Sequence, residues 1–197
     1  MEFEKVLKMR QSVRKYQDRP LSDEQIGKLL EAANRAPVGS NLYRDIHLTV
    51  VRDQEVLLKL CEAAWKRFAD RKKLEEIEGD MDFRKEDREK KMNLFYGASV
   101  VIFISHREQT VQPGIEYSNV ASIANQIHLA ATDMGLGSCY MWGALESMRM
   151  LPELDHTELL GVPEGFHPLL GVAAGYPAEE LSEHEIRHKP VPVNYVG

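Results

Sequence analysis

Residues 10–14 read R-Q-S-V-R. In an extended segment alternate side chains face the same way, so Arg10, Ser12 and Arg14 would present two guanidiniums and a hydroxyl on one side. That donor set suits a phosphate: charged groups that can grip two oxygens at once, plus a neutral donor. Taken alone, the same residues are also two surface arginines and a turn serine. Near the other end, residues 184–188 read H-E-I-R-H, which on a helix would set two imidazoles around zinc with a glutamate as general base. Its context argues against that chemistry. Pro190 follows His188 by two residues and stops a helix. Only Leu181 and Ile186 are apolar between 180 and 190. No His, Asp, Glu or Cys follows His188 to supply the third ligand a catalytic zinc requires. The residue of interest in this stretch is then Arg187.

The elements that must position these groups can be read from periodicity. Residues 2–10 predict a short helix with Phe3, Val6 and Leu7 on one face. "SDEQ" at 22–25 is a capping box, and Ile26, Leu29, Leu30 and Ala33 follow at helical spacing until Pro37 and Gly39. "IHLTVV" (46–51) predicts a strand, and Asp53 caps a helix whose stripe runs from Val56 to Phe68. "ASVVIFIS" (98–105) predicts a buried strand. Residues 116–134 predict a central helix with apolar side chains on more than one face. "CYMW" (139–142) and "PLLGVAAGYP" (168–177) predict two more strands before a polar tail, 178–197. Of the 22 positions from 70 to 91, 17 are charged, with signs mixed, which predicts a solvated helical segment. The order is α+β, with a mixed or antiparallel central sheet flanked by helices. Residues 1–197 are expected to form one domain, with the charged insertion at about 66–92.

A formal net charge of −6 argues against a nucleic-acid binder. Two distant cysteines make neither a disulfide framework nor a cysteine metal site. The lysine-broken, acidic N-terminus is no signal peptide, and no apolar run is long enough for a membrane span, so a cytoplasmic protein is expected. Neither G-x-G-x-x-G after a strand nor a P-loop is present, so a standard dinucleotide fold is not signalled.

Four stretches together carry a family resemblance. "RQSVRKY" resembles the R-R-S-x-R-x-F opening of the FMN-dependent nitroreductases. "AANRAPVGSNLYRDIHLTVVRD" resembles their A-A-x-x-A-P-S-x-x-N-x-Q-P-W stretch and following strand. "AATDMGLGSCYMWG" resembles their A-A-x-x-x-G-L-G-S-x-W-x-G segment. "GVAAGYPAEE", with basic residues after it, resembles their G-Y-P-x-E close. The matches fall in the family's order and span nearly the whole chain.

The resemblance implies an intertwined homodimer of nitroreductase-like fold with FMN at the subunit interface. It implies that Arg10, Ser12 and Arg14 hold the phosphate and the pyrimidine side of the ring, with Arg187 and Lys189 reaching in from the tail. Val38, Gly39, Ser40 and Asn41 would approach from the other subunit, and Met141, Trp142 and Gly143 would line the ring, largely through backbone groups. NADH or NADPH would reduce FMN, and a small acceptor such as a nitroaromatic or quinone would follow in a ping-pong cycle. No side chain is then needed as nucleophile or general acid, because the cofactor carries the chemistry. Tyr43 and Arg44 stand where the family has Q-P, which marks them as candidate substrate-side residues. The alternative on the same fold is a flavin-binding or storage protein, or a flavin enzyme that does not use a nicotinamide.

Overall fold

In a computed structural model, which describes residues 1–70, 93–142, 145, 157–186 and 189–197 (63–70 by backbone alone), two helices precede the first strand. Helix α1 spans Phe3–Met9 and α2 spans Asp23–Asn34. The capping box at the start of α2 forms in full. Gln25 N–H donates to Ser22 Oγ at 3.2 Å, and Ser22 N–H donates to Gln25 Oε1 at 3.0 Å. In α1 only Val6 is buried; Phe3 and Leu7, which share its face by spacing, stay exposed on the single chain.

A 3-10 stretch, Gly39–Asp45, leads into β1 (Ile46–Val51), and α3 (Gln54–Asp70) follows. Asp53 caps it, its carboxylate accepting from Glu55 N–H at 2.8 Å. Then come β2 (Val100–Arg107), the long helix α4 (Ile115–Asp133), β3 (Gly137–Tyr140) and β4 (Phe166–Gly175). Strand β3 thus begins and ends two residues earlier than "CYMW" predicts. The four strands form one sheet in the order β1-β2-β4-β3, and every pairing is antiparallel.

The unbroken apolar run in β2 follows from its position. Val100, Ile102 and Ile104 face a core shared with α2 and α4, while Val101 and Phe103 face a second core with Leu57, Leu60 and Phe95. Alternate residues serve opposite faces, so both faces of residues 100–104 are apolar, and polar side chains enter only at Ser105 and His106. Helix α4 buries Val120, Ile123, Ala124, Ile127 and Ala131, but Ala121 is exposed on the single chain. The charged stretch from 71 to 92 lies outside the described residues, as do Gly143, Arg187 and His188. Among the described residues no helix is long and apolar enough to cross a membrane.

Candidate functional site

Arg10 leaves α1 in an extended conformation (φ −62°, ψ 117°), and the chain then runs beside β3. Ser12 bridges Ser138 in parallel sense, with Val13 N–H donating to Ser138 C=O at 2.9 Å. Further on, Gln17 N–H donates to Tyr176 C=O at 2.9 Å and Ala178 N–H to Lys15 C=O at 3.0 Å. The segment is therefore clamped between β3 and the chain leaving β4.

That clamp brings the cationic side chains together. The Arg14 guanidinium, the Ser12 hydroxyl and the Arg10 guanidinium all favour the ionised form of the Cys139 thiol, which itself lies 3.6 Å from Tyr140 C=O. Burial pushes Cys139 up, and these three neighbours oppose the shift. The Arg10 guanidinium also acts electrostatically on Tyr140 and His128. Burial, reinforced by that guanidinium, pushes His128 down to about 4, so its ring is neutral at physiological pH. Its Nδ1 is 2.6 Å from Ser138 Oγ, its ring meets Tyr140 edge-on at 4.5 Å, and its buried Nε2 has no hydrogen-bond partner among the described residues. Neither Arg10 nor Arg14 has a carboxylate partner among the described residues. Two unpaired guanidiniums and a hydroxyl over a neutral floor favour a bound anion, and the donor set fits a phosphate monoester.

The loop after α2 holds the second group of candidates. Ser40 (φ 56°) and Asn41 (φ 54°) both sit in the left-handed region, which is uphill for non-glycine residues. Gly39 N–H donates to Asn119 Oδ1 at 2.8 Å, Ser40 Oγ to Gln112 Oε1 at 2.8 Å, and Ser122 Oγ to Pro37 C=O at 2.8 Å. A Cβ on Gly39 would come within 2.9 Å of Ile115 Cδ1 and 3.3 Å of Asn119 Oδ1, so the backbone runs close to α4 here. The Val38 side chain is buried in the core, leaving only its backbone for a ligand. Asn41, Tyr43 and Arg44 are exposed, although the Tyr43 hydroxyl is tied to Ala36 C=O at 3.1 Å.

Beyond β3, the Met141 side chain is buried and its N–H already donates to Gly171 C=O at 2.8 Å. Only its carbonyl is left to face a ring. Trp142 is half exposed and lies 6.4 Å from Tyr117, ring centre to ring centre. Tyr140 is held by its hydroxyl on Ala121 C=O at 3.3 Å.

The tail is mostly exposed, with His184 as an exception. His184 is half-buried and acts as a latch. Its N–H donates to Lys8 C=O at 3.1 Å, and its Nε2 lies 3.0 Å from Arg10 C=O, which can only accept. Residues 181–186 are not helical; the second histidine of the motif, His188, lies outside the described residues. Lys189 is exposed.

The nitroreductase family model matches residues 7–176. The chain belongs to the nitroreductase family. A protein of Archaeoglobus fulgidus with the provisional name NADH dehydrogenase/NAD(P)H nitroreductase is 30% identical over 188 residues, covering 93% of this chain and 91% of that one. A crystal structure of a nitroreductase with bound FMN from Bacteroides fragilis superimposes with a TM-score of 0.77 at 26% identity, covering 99% of this chain and all of that one. An FMN-dependent nitroreductase from Clostridium difficile gives 0.72 at 28% identity, covering 98% and 99%.

Within this nitroreductase-family chain, sequence reasoning missed Gly137, His106, Asn119 and His184 as structural supports of the candidate site. A Cβ at Gly137 would lie 2.7–2.9 Å from three carbons of Val13. The available signal for His106 and Asn119 was a polar residue at a core position, which must find a partner.

Proposed function

We propose that this nitroreductase-family chain is an FMN-dependent oxidoreductase that takes reducing equivalents from NADH or NADPH and passes them to a small acceptor, such as a nitroaromatic or quinone. The observation that carries the reading is the docking of the segment bearing Arg10, Ser12 and Arg14 along β3 at Ser138, with no carboxylate to neutralise the arginines among the described residues. In a chain of net charge −6, such a cluster is anion-seeking. The His184 latch carries the tail to the backbone of Arg10, and we assign Arg187 and Lys189 to the phosphate on the family resemblance alone. Bound FMN supplies the hydride-accepting and hydride-donating chemistry; the protein binds it, orients it and sets its electrostatics. Arg14 is our candidate for the cation near the pyrimidine edge, where it favours the electron-rich form. Donor and acceptor share one cavity in turn, which gives a ping-pong cycle.

We further propose a homodimer whose site uses both chains. Ile115, Asn119 and Ser122, which hold the 37–41 loop, are spaced i, i+4, i+7 along α4. Tyr117, Ala121 and His128, which meet Trp142, Tyr140 and Ser138, form a different row, about 200° round the helix at 3.6 residues per turn. One chain therefore presents its loop and its cationic cluster on different faces of α4, and a second copy brings loop and cluster to one flavin. Exposed Phe3, Leu7, Val191, Val193 and Tyr195 supply apolar surface for that contact.

The test is the visible spectrum of purified protein without oxygen. The bound-flavin band bleaches on adding NADH or NADPH and returns on adding a quinone or nitroaromatic. A band that survives both nicotinamides contradicts the oxidoreductase and leaves a flavin carrier.

A further inference from the structure

We propose that His106 and Asn119 are positioning residues for the loop that presents Ser40 and Asn41 to the flavin. The inference rests on the reading of residues 38–41 as flavin-facing.

The contacts form one directed chain. Arg107 C=O, 2.7 Å from His106 Nδ1, can only accept, so Nδ1 carries the proton. In the neutral ring Nε2 is then an acceptor, and Asn119 Nδ2 donates to it at 3.1 Å. That orients the amide with Oδ1 toward Gly39 N–H, the 2.8 Å bond at the root of the loop. Reversing the amide would set two donors against each other at Gly39. The tautomer of one buried histidine thus fixes which amide atom meets the loop. Both side chains are 1% exposed, so neither has bulk water as a substitute partner.

The loop needs such a fixture. Two consecutive non-glycine residues hold positive φ, a conformation that persists only where the surroundings over-determine it. Ser40 on Gln112 and Ser122 on Pro37 hold the two sides of the turn, and both of those contacts are exposed. The Asn119 bond to Gly39 is the one rooted in the core. Its donor chain ends at Arg107, the last residue of β2, so the sheet sets the height of the loop above α4.

Four substitutions test this. Asn119→Leu keeps volume and removes both bonds. His106→Phe leaves the amide without its acceptor. His106→Gln can donate to Arg107 C=O and accept from Asn119. Asn41→Ala tests the loop directly. We expect ring nitrogen shifts of wild-type His106 to report an Nδ1–H, Nε2-bare imidazole. We expect Asn119→Leu and His106→Phe to displace the absorption band of bound flavin in the same direction as Asn41→Ala. Each should weaken flavin binding roughly tenfold, the scale of one buried polar group left unpaired. His106→Gln should restore both. If Asn41→Ala moves the band while Asn119→Leu and His106→Phe alter only the melting temperature, the positioning role is overturned and the flavin-facing loop stands. If Asn41→Ala is silent, the loop reading fails and the inference falls with it. Should Asn119→Leu not fold, the contrast between His106→Phe and His106→Gln decides. An Nε2–H tautomer in the wild type contradicts the directed chain outright.

Discussion

Arg10→Ala is expected to weaken FMN binding by about 10- to 150-fold, the equivalent of roughly 1.5–3 kcal/mol for a lost hydrogen bond to a charged group. The side chain is half-buried and acts electrostatically on Cys139, Tyr140 and His128, so its charge is less screened than that of a surface arginine. The substitution isolates the guanidinium, because the His184 latch engages the Arg10 carbonyl, which alanine keeps. Flavin fluorescence titration of the variant checks the loss, and the melting temperature of the flavin-free form serves as control. That control should hardly move. The arginine disfavours a proton on His128, and the histidine is already neutral without it through burial. Binding within about threefold of wild type would remove Arg10 from the phosphate site.

Gly137→Ala should damage the site from a distance. No positive φ is required at Gly137; the constraint is space, since the new methyl would lie 2.7, 2.8 and 2.9 Å from Cγ1, Cβ and Cγ2 of Val13. Valine is stiff at χ1 and cannot swing clear. The segment bearing Arg10, Ser12 and Arg14 must therefore lift from β3, straining the 2.9 Å bond from Val13 N–H to Ser138 C=O. Overpacking of this kind costs about 1–3 kcal/mol. For a chain of this size it should lower the melting temperature by several degrees, at about 2–4 °C per kcal/mol. Flavin affinity should fall with it, and Val13→Ala in the same background should return only part of both, because the 2.8 Å approach to Cβ remains. A Gly137→Ala protein with wild-type affinity would show that docking on β3 does not set the cations.

Much of the framework is legible in local sequence because local rules decide it. The S-D-E-Q box at 22–25 forms as written, and the apolar run at 98–105 becomes a strand facing two cores. Spacing likewise predicts Arg10, Ser12 and Arg14 on one side, and the structure docks their segment along β3 at Ser138. What local rules do not carry is pairing at long range. Nothing near residue 12 announces Ser138 as its neighbour, and nothing in β2 says that its one histidine will orient an asparagine on α4. His184 shows the same limit in reverse. Its motif is a metal-binding string whose context argues against metal, and its partners are main-chain carbonyls, those of Lys8 and Arg10 at the end of α1 and that of Glu185. Phe3 and Leu7 have the spacing of a buried face, and a single chain offers nothing to cover them.

The most direct test of the central claim compares two ligands that differ only in the phosphate. Flavin-free protein is titrated with FMN and with riboflavin under the same conditions. The account predicts that FMN binds on the order of 100-fold or more tightly, from several charge-assisted bonds to one dianion. Equal affinity for the two would contradict it.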